Sequence, residues 1–165
     1  MAQTTLRGNP INTNGNLPAV GSEAPDFTVT KGDLSQVSKA DLAGQRVVMS
    51  LFPSIDTPTC AASVRAFNER AGALENTTVL NVSADLPFAL GRFCGAEGID
   101  SVETGSTFRN PEVLEAFGTL MVDGPLAGLS ARAVVVIDES GRIAHSQLVA
   151  EIADEPDYDA VLGSL

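Results

Sequence analysis

The length, composition and charge of this chain restrict its class before any motif is considered. With 165 residues, 44% of them hydrophobic and 19% charged, the chain can form one domain with a sizeable core and is neither disordered nor collagen-like. Its 10 basic and 21 acidic side chains give a net charge of −11, which repels phosphate backbones, and no basic stripe offsets this repulsion. We therefore expect no nucleic-acid partner.

No apolar segment of the sequence is long enough to cross a membrane. Every run falls short of the roughly 18 residues that a spanning helix needs. Residues 1–8 contain neither the apolar core of a signal peptide nor a cleavage-site pattern. We therefore expect a soluble, cytoplasmic protein without a membrane partner.

The amino-terminal elements are short and separated by turn residues. Weak strand patterns on both sides of Gly8-Asn9-Pro10 predict a β-hairpin, and a capping-box pattern at Ser38 and Asp41 predicts the start of a short helix. The predicted elements of this part are hairpin strands at 3–7 and 10–13, an extended connection at 14–25, a strand at 27–30 and a helix from Ser38 that Gly44 ends.

A buried strand followed by a helix is the clearest pattern in the middle of the chain. Arg46–Phe52 is almost continuously apolar and stops at Pro53, as expected of a central strand that is covered on both faces. The helix predicted over 58–73 repeats its apolar residues every three or four positions. These apolar positions are Cys60, Val64, Phe67, Ala71 and Leu74.

The remaining elements continue the alternation of strands and helices. A strand at 77–83 precedes a helix that begins near Asp85 and Pro87 and carries Cys94 in its last turn, just before Gly95. The other predicted elements are a short helix from Asn110 to Gly118, strands at 133–137 and 142–149, and a final helix that begins at Glu155-Pro156.

This order of elements predicts an α/β domain of thioredoxin-like layout. In such a layout, helices lie on both sides of a mixed central sheet. We expect a single domain over residues 1–165, with the N-terminal hairpin and its connection in residues 1–18.

Two cysteines and one histidine limit the metal and disulfide chemistry of the chain. A zinc site usually needs four ligands at short paired spacings, and Cys60 and Cys94 lie far apart in the sequence. A stable structural disulfide is also not the default in a reducing cytoplasm. The two thiols are therefore either inert core residues or a redox pair.

Cys60 lies where a helix begins after a buried strand. A thiol attacks an electrophile as the thiolate, and the first turn of a helix offers free N–H groups and a positive dipole end to that charge. Pro58 is tolerated there because a first-turn residue has no N–H bond to lose. Cys60 also continues an apolar stripe, where a cysteine is usually an inert hydrophobe. The residues by themselves leave both interpretations open.

Thr57 favours a single reactive sulfur over a dithiol. In a dithiol oxidoreductase the same turn would carry Cys-x-x-Cys, and Thr57 occupies the position of the first cysteine. A hydroxyl cannot form a disulfide, but it can hydrogen-bond a neighbouring thiolate or an incoming oxygen. The turn is therefore suited to one sulfur that reacts with another molecule.

The segment Pro53-x-x-x-Thr57-x-x-Cys60 resembles the Pro-x-x-x-Thr-x-x-Cys signature of peroxiredoxins. Further segments are similar to the bacterial thiol peroxidase subfamily of atypical two-cysteine peroxiredoxins, and they follow in order along nearly the whole chain. These segments are residues 52–58, 83–89, 92–94, 123–129, 131–138 and 151–158.

The resemblance implies a role for each matching residue. Cys60 would be the peroxidatic nucleophile, Thr57 would hydrogen-bond the sulfur and the peroxide, and Pro53 would shield the pocket from water. Arg132 would stabilise the thiolate and polarise the O–O bond, and Cys94 would be the resolving cysteine. Without the resemblance, Arg132 would be interpreted as a solvated strand end and Cys94 as a packing residue.

The implied activity is a thiol-dependent peroxidase of antioxidant defence that reduces hydrogen peroxide and alkyl hydroperoxides. Its cycle would run through a Cys60 sulfenic acid and an intramolecular Cys60–Cys94 disulfide, which thioredoxin or a similar dithiol would reduce. No metal, haem or flavin is required. The resemblance also implies a homodimer.

Local unfolding is expected to accompany the disulfide step. Two cysteines can be bridged only when their Cα atoms come within ~7 Å. The last turn of a helix frays easily, and Gly95 would let the chain leave the helix directly after Cys94. We therefore expect the Cys94 turn, and with it the Cys60 turn, to unfold when the bond forms.

Two functions of other kinds stay open at this stage. One is a thiol–disulfide oxidoreductase or redox sensor on the same fold, against which Thr57 argues. The other is a non-catalytic binding domain that keeps two buried thiols. His145, the only histidine, is not expected to act as a general base, because it lies mid-strand and a thiolate is already deprotonated.

Overall fold

The computed structural model describes residues 2–165, which form two sheets and four α-helices. The strands are β1 (Gln3–Leu6), β2 (Asn9–Asn12), β3 (Thr28–Thr30), β4 (Gln36–Ser38), β5 (Arg46–Leu51), β6 (Thr77–Ser83), β7 (Glu103–Ser106), β8 (Ala133–Ile137) and β9 (Ile143–Leu148). The helices are α1 (Pro58–Ala71), α2 (Pro87–Glu97), α3 (Glu112–Ala116) and α4 (Tyr158–Gly163). A single 3-10 turn occupies Ala40–Leu42.

The larger sheet is mixed, and β5 lies inside it. Its seven strands follow the order β4-β3-β7-β6-β5-β8-β9. Strands β5, β6 and β7 are parallel to one another, whereas β3, β4, β8 and β9 pair with their neighbours in antiparallel fashion. β1 and β2 form a separate antiparallel hairpin, with Thr4 opposite Ile11. The predicted thioredoxin-like layout with an N-terminal hairpin is confirmed.

Two apolar layers cover the two faces of the larger sheet. Side chains alternate between the faces of a strand, so neighbours along β5 point to different layers. Met49 packs in the layer that contains Phe117, the residue that caps α3, and Val48 packs in the layer that contains Phe67 of α1 and Val161 of α4. The continuous apolar runs of β5 and β8 are explained by this burial on both faces.

Helix α2 is longer than the sequence pattern predicts. The expectation that Gly95 ends it is wrong, because the helix continues to Glu97 and Gly98 forms its cap in the left-handed region, at φ +65°. The N–H groups of Gly98 and Ile99 both donate to the carbonyl of Cys94. A glycine ends a helix only where the chain adopts this backbone conformation. Cys94 therefore belongs to the last turn, but that turn is hydrogen-bonded.

Other differences concern short polar segments. Strands β4 and β7 were not predicted, because both are short and mostly polar and are set by pairing with neighbouring strands. The predicted helix from Ser38 is only the 3-10 turn, although Ser38 and Asp41 do exchange the hydrogen bonds of a capping box. The final helix begins at Tyr158, after an Asp157 cap, rather than at Glu155.

No helix among residues 2–165 is both long enough and apolar enough to pass through a membrane.

Candidate active site

Cys60 lies in the first turn of α1, beyond the carboxyl end of β5. The cap of α1 is Thr57, which has an extended backbone, and Pro58 follows as the first helical residue. The intervening segment is anchored at Phe52, whose N–H donates to the carbonyl of Val82 on β6. Because 14 residues of helix follow this cap, the Cys60 sulfur lies near the positive end of a substantial helix dipole.

Arg132 contacts the Cys60 sulfur directly. Its Nη2 lies 3.2 Å from Cys60 Sγ, and its Nε donates to the carbonyl of Ile152 over 2.9 Å. Arg132 is 2% exposed and Cys60 is 0% exposed. Arg132 immediately precedes β8, and the antiparallel pairing of β8 with β5 brings it beside the end of β5. The interpretation of Arg132 as a solvated strand end is wrong.

The guanidinium of Arg132 has no carboxylate partner within ion-pair distance among residues 2–165. Its Nη1 is buried and, in the part of the chain that the structure describes, has no hydrogen-bond partner. A buried charge is costly unless it is paired. Cys60 is the one side chain that this guanidinium contacts within hydrogen-bond distance in the described part of the chain.

A cavity of about 280 Å³ lies beside Arg132, and the buried Cys60 is not among its lining residues. Arg132, Pro53 and Thr57 line it, together with apolar side chains of the hairpin and of the loops on either side of β8 and β9. These apolar residues are Leu6, Leu126, Leu129 and Ile152. The structure thus brings Cys60, Arg132, Pro53 and Thr57 to one place. A second cavity of similar volume, near Lys39 and Ile137 at the opposite end of the sheet, contains none of the predicted site residues.

Thr57 and Pro53 differ in their exposure and contacts. Pro53 is buried, whereas Thr57 is exposed and its hydroxyl donates to the carbonyl of Ser54 over 2.8 Å. The expected hydrogen bond from Thr57 to the sulfur is therefore not formed within the described residues. Thr57 still lines the cavity, and its hydroxyl oxygen keeps lone pairs that can accept a hydrogen bond.

Cys94 lies apart from this cluster, on α2, and both cysteines are free thiols. Burial raises the pKa of the Cys94 thiol, and a hydrogen bond with Thr104 of β7 opposes this effect. The two cysteine-bearing helices do meet, because Leu90 and Phe93 of α2 pack in the same apolar cluster as Cys60. The two sulfurs have different polar partners, Arg132 for Cys60 and Thr104 for Cys94.

The segment after β9 forms one wall of the site, although the resemblance that covers residues 151–158 assigned it no role there. The Ile152 carbonyl orients Arg132, and the Ala153 carbonyl accepts from the Thr59 hydroxyl over 3.0 Å. The Glu151 carboxylate accepts from the N–H groups of Ala153 and of Gly8 in the hairpin, each over 2.9 Å. These bonds hold the pKa of Glu151 below its ordinary value. Carbonyl groups have no sequence signature, which is why Ile152 could not be found from the pattern.

His145 lies on β9 opposite Val136, half-buried, and does not line the cavity.

Comparison with known proteins gives consistent matches along the chain. The family model described as Redoxin matches residues 19–162. A curated protein of Mycobacterium tuberculosis named "Thiol peroxidase" is 56% identical over 165 residues, covering 100% of this chain and 99% of that protein. A crystal structure of a peroxiredoxin-like protein from Aquifex aeolicus is 39% identical with a TM-score of 0.94, covering 99% of this chain and 95% of that one. A thiol peroxidase from Chromobacterium violaceum, 18% identical over 98% of this chain and 93% of its own, shares the fold with a TM-score of 0.86.

Proposed function

This chain belongs to the redoxin family and is a bacterial thiol peroxidase, a peroxidase of peroxiredoxin type; from this premise we propose that Cys60 attacks the peroxide and that Cys94 resolves the product. The observation that carries the assignment of Cys60 is its buried contact with Arg132, 3.2 Å from sulfur to nitrogen. Thr57 and Pro53 take part as cavity-lining groups.

In the first step, the Cys60 thiolate attacks the terminal oxygen of the peroxide. An S–O bond forms as the O–O bond breaks, and the leaving oxygen departs as water or an alcohol after it takes up a proton. The sulfur is oxidised by two electrons to a sulfenic acid and the peroxide is reduced by the same two. Arg132 supports this step, because Nη2 stabilises the thiolate and the unpaired Nη1 can polarise the O–O bond.

In the second step, the Cys94 thiol condenses with the Cys60 sulfenic acid. An S–S bond forms, the S–O bond breaks, and the hydroxyl leaves as water with the proton of the Cys94 thiol. Because Cys60 is fully buried and Cys94 is half-buried at a hydrogen-bonded helix end, both turns must open first. The peroxide reaction and the disulfide reaction thus need different arrangements of the same segments.

In the third step, an external dithiol reduces the disulfide by two thiol–disulfide exchanges, which return Cys60 and Cys94 as thiols and oxidise the dithiol. A thiol reductant is part of the activity of this family, and we propose thioredoxin as that dithiol. The peroxide is hydrogen peroxide or an alkyl hydroperoxide, and the apolar cavity wall of Leu6, Leu126 and Leu129 suits an alkyl chain.

We also propose a location, a cellular role and an assembly for the enzyme. We place it in the cytoplasm, in antioxidant defence, as a single domain over residues 1–165. We also propose a homodimer. The exposed apolar side chains of Leu86, Phe88 and Phe108 support this arrangement, because a second copy would remove them from water.

Rapid mixing of the reduced protein with one equivalent of peroxide tests the cycle. We expect the mass of a sulfenic acid first and an intramolecular Cys60–Cys94 disulfide next, which thioredoxin then reduces. Cys60→Ser should consume no peroxide, and Cys94→Ser should stop at the sulfenic acid. Steady turnover of Cys94→Ser with thioredoxin would refute the assignment of Cys94, and peroxide consumption by Cys60→Ser would refute that of Cys60.

A further inference from the structure

The Asp85 carboxylate joins the segment before Cys60 to the start of the helix that carries Cys94. Its Oδ1 accepts a hydrogen bond from the Ser54 hydroxyl over 2.7 Å, and its Oδ2 accepts one from the Ile55 N–H over 2.7 Å. Asp85 itself lies between β6 and α2. The two cysteine-bearing parts of the molecule therefore share one carboxylate.

Asp85 is also fixed to the sheet. Its Oδ2 accepts a second bond from the hydroxyl of Ser83, the last residue of β6, over 2.6 Å. Its carbonyl accepts from the hydroxyl of Ser106, the last residue of β7. Ser83 and Ser106 are both 0% exposed. A side chain held in this way can restrain the Ser54–Ile55 segment rather than move with it.

The restrained segment lies directly in front of the reactive sulfur. Ser54 and Ile55 lie between Pro53 and Thr57 in the chain, and Ile55 packs with Cys60 and Phe52 in one buried cluster. Displacement of Ile55 would therefore disturb the packing around Cys60. Hydrogen bonds from backbone and hydroxyl donors to a carboxylate are roughly twice as strong as those between neutral groups.

Other polar contacts between these two parts are weaker restraints. Arg92 of α2 pairs with Asp56 over 3.2 Å, and their side chains are 70% and 66% exposed. Arg65 of α1 pairs with Glu97 of α2 over 2.8 Å, with side chains 45% and 38% exposed. Exposed ion pairs contribute little because water and salt screen them. Asp85 is thus the main polar restraint on opening.

We propose that Asp85 is a positioning residue that holds the Cys60 segment in its closed, peroxide-reactive arrangement and thereby limits the rate at which the Cys60–Cys94 disulfide forms. This inference rests on the proposed function, in which peroxide reacts with the closed arrangement and the disulfide forms from an open one. Weaker Asp85 bonds raise the open population, so the sulfenic acid is resolved sooner and survives for a shorter time.

Asp85→Asn is the main test, because it keeps the size of the side chain but replaces one acceptor oxygen with a donor NH₂ group. We expect the first-order rate of disulfide formation to rise about tenfold, since a hydrogen bond to a charged group contributes about as much as a tenfold change in an equilibrium constant. The second-order rate with peroxide should not rise. The peroxide concentration that converts half of Cys60 to sulfinic acid should rise about tenfold, because the sulfenic acid is exposed to peroxide for less time.

Asp138→Asn is the matched control. The Asp138 carboxylate also accepts three bonds, from the Ser140 N–H, the Ser140 hydroxyl and the Arg142 N–H, at 2.9, 2.6 and 3.0 Å. It follows the carboxyl end of β8, which is the opposite end of the sheet from Arg132. Asp138→Asn should therefore lose about as much stability as Asp85→Asn does. It should leave both rate constants and the peroxide concentration for half-conversion to sulfinic acid unchanged.

Ser54→Ala provides a second, milder variant should Asp85→Asn fail to fold. It removes one donor from the restrained segment and leaves the Ile55 bond intact, so the disulfide step should accelerate by a few-fold. Disulfide formation at or below the wild-type rate in the folded variants would overturn the inference, as would the same acceleration in Asp138→Asn. These outcomes are separate from a failure of the proposed function, which would appear as peroxide consumption by Cys60→Ser.

Discussion

Arg132 Nη2 lies 3.2 Å from Cys60 Sγ, and both residues are almost completely buried. Among residues 2–165 no carboxylate lies within ion-pair distance of this guanidinium, and Cys60 is the one side chain with which it forms a hydrogen bond. The start of α1 adds its dipole to the same point, an effect of up to ~2 kcal/mol in partly buried positions. Both the guanidinium and the helix start would favour the thiolate that the proposed function requires at Cys60.

Arg132→Met should reduce the rate of sulfenic acid formation by about 100-fold. The reason is that the variant removes both the donor to the sulfur and the unpartnered Nη1, and one donor to a developing negative charge is worth 10²–10³ in other enzymes. Stopped-flow measurement of the second-order rate with peroxide checks this value. The rate of Arg132→Lys should lie between the rates of the wild type and of Arg132→Met. Lysine keeps the positive charge, but it lacks the planar fork of donors that reaches both Cys60 and Ile152.

The same Arg132→Met variant separates activity from stability. An apolar side chain of similar volume removes one partner of the buried Arg132–Cys60 contact and leaves the Ile152 carbonyl without its donor, and such a change is usually destabilising. We expect the melting temperature of the reduced protein to fall by a few degrees while the variant stays folded at the assay temperature. A large fall in melting temperature would mean that the loss of activity reflects unfolding.

The pKa of Cys94 predicts how stability changes at alkaline pH. Burial raises this pKa above the ordinary 9.0, so the folded state holds the thiol proton more tightly than the unfolded state does. The contribution of Cys94 to the free energy of unfolding is fully present below pH 9.0, and it is lost as the pH rises through the pKa that the thiol has in the folded state. The free energy of unfolding of the reduced wild type, minus that of Cys94→Ala, should therefore decrease above pH 9.0. Burial also raises the pKa of Tyr158, but this residue titrates in both proteins, so its effect cancels in the difference between them.

Glu151 should contribute stability with the opposite dependence on pH. Bonds from the N–H groups of Ala153 and Gly8 lower its pKa below the ordinary 4.5, so its contribution is present above pH 4.5 and is lost as the pH falls through the folded value. Glu151→Gln should melt below the wild type at neutral pH, and this difference should shrink in acid. Glu69→Gln, on an exposed part of α1 and without a side-chain hydrogen bond in the described chain, is the control and should show no such difference.

Gly118→Ala should destabilise the fold by about 3 kcal/mol. Gly118 has φ +70°, and an added Cβ would overlap the carbonyl group of Asn16, so left-handed strain and overpacking add together. For a chain of this size the melting temperature should fall by about 10 °C. Gly44→Ala, at φ +85° with open space around the added carbon, isolates the backbone strain and should cost about a third as much. Equal losses in the two variants would show that the Asn16 contact is unimportant.

The amino-acid sequence by itself determined the strands and the helix start that surround the site. Strands β5, β6 and β8 and the start of α1 were predicted within about one residue, because apolar runs and a proline at the first helical position act over short distances. The position of Cys60 at a helix start followed from these elements. The residues by themselves do not decide whether Cys60 is a nucleophile or a core residue, and the resemblance to peroxiredoxins favours the nucleophile.

Only the tertiary structure decided which groups meet the Cys60 sulfur. Arg132 is remote in sequence and reaches Cys60 because β8 pairs with β5, and its orientation depends on a carbonyl of Ile152 that no side-chain pattern reveals. The helix end after Cys94 likewise depended on the backbone conformation of Gly98 rather than on the presence of Gly95. Local sequence sets backbone conformation over a few residues, whereas the contacts that stabilise a thiolate are made between strands and loops that only the folded chain brings together.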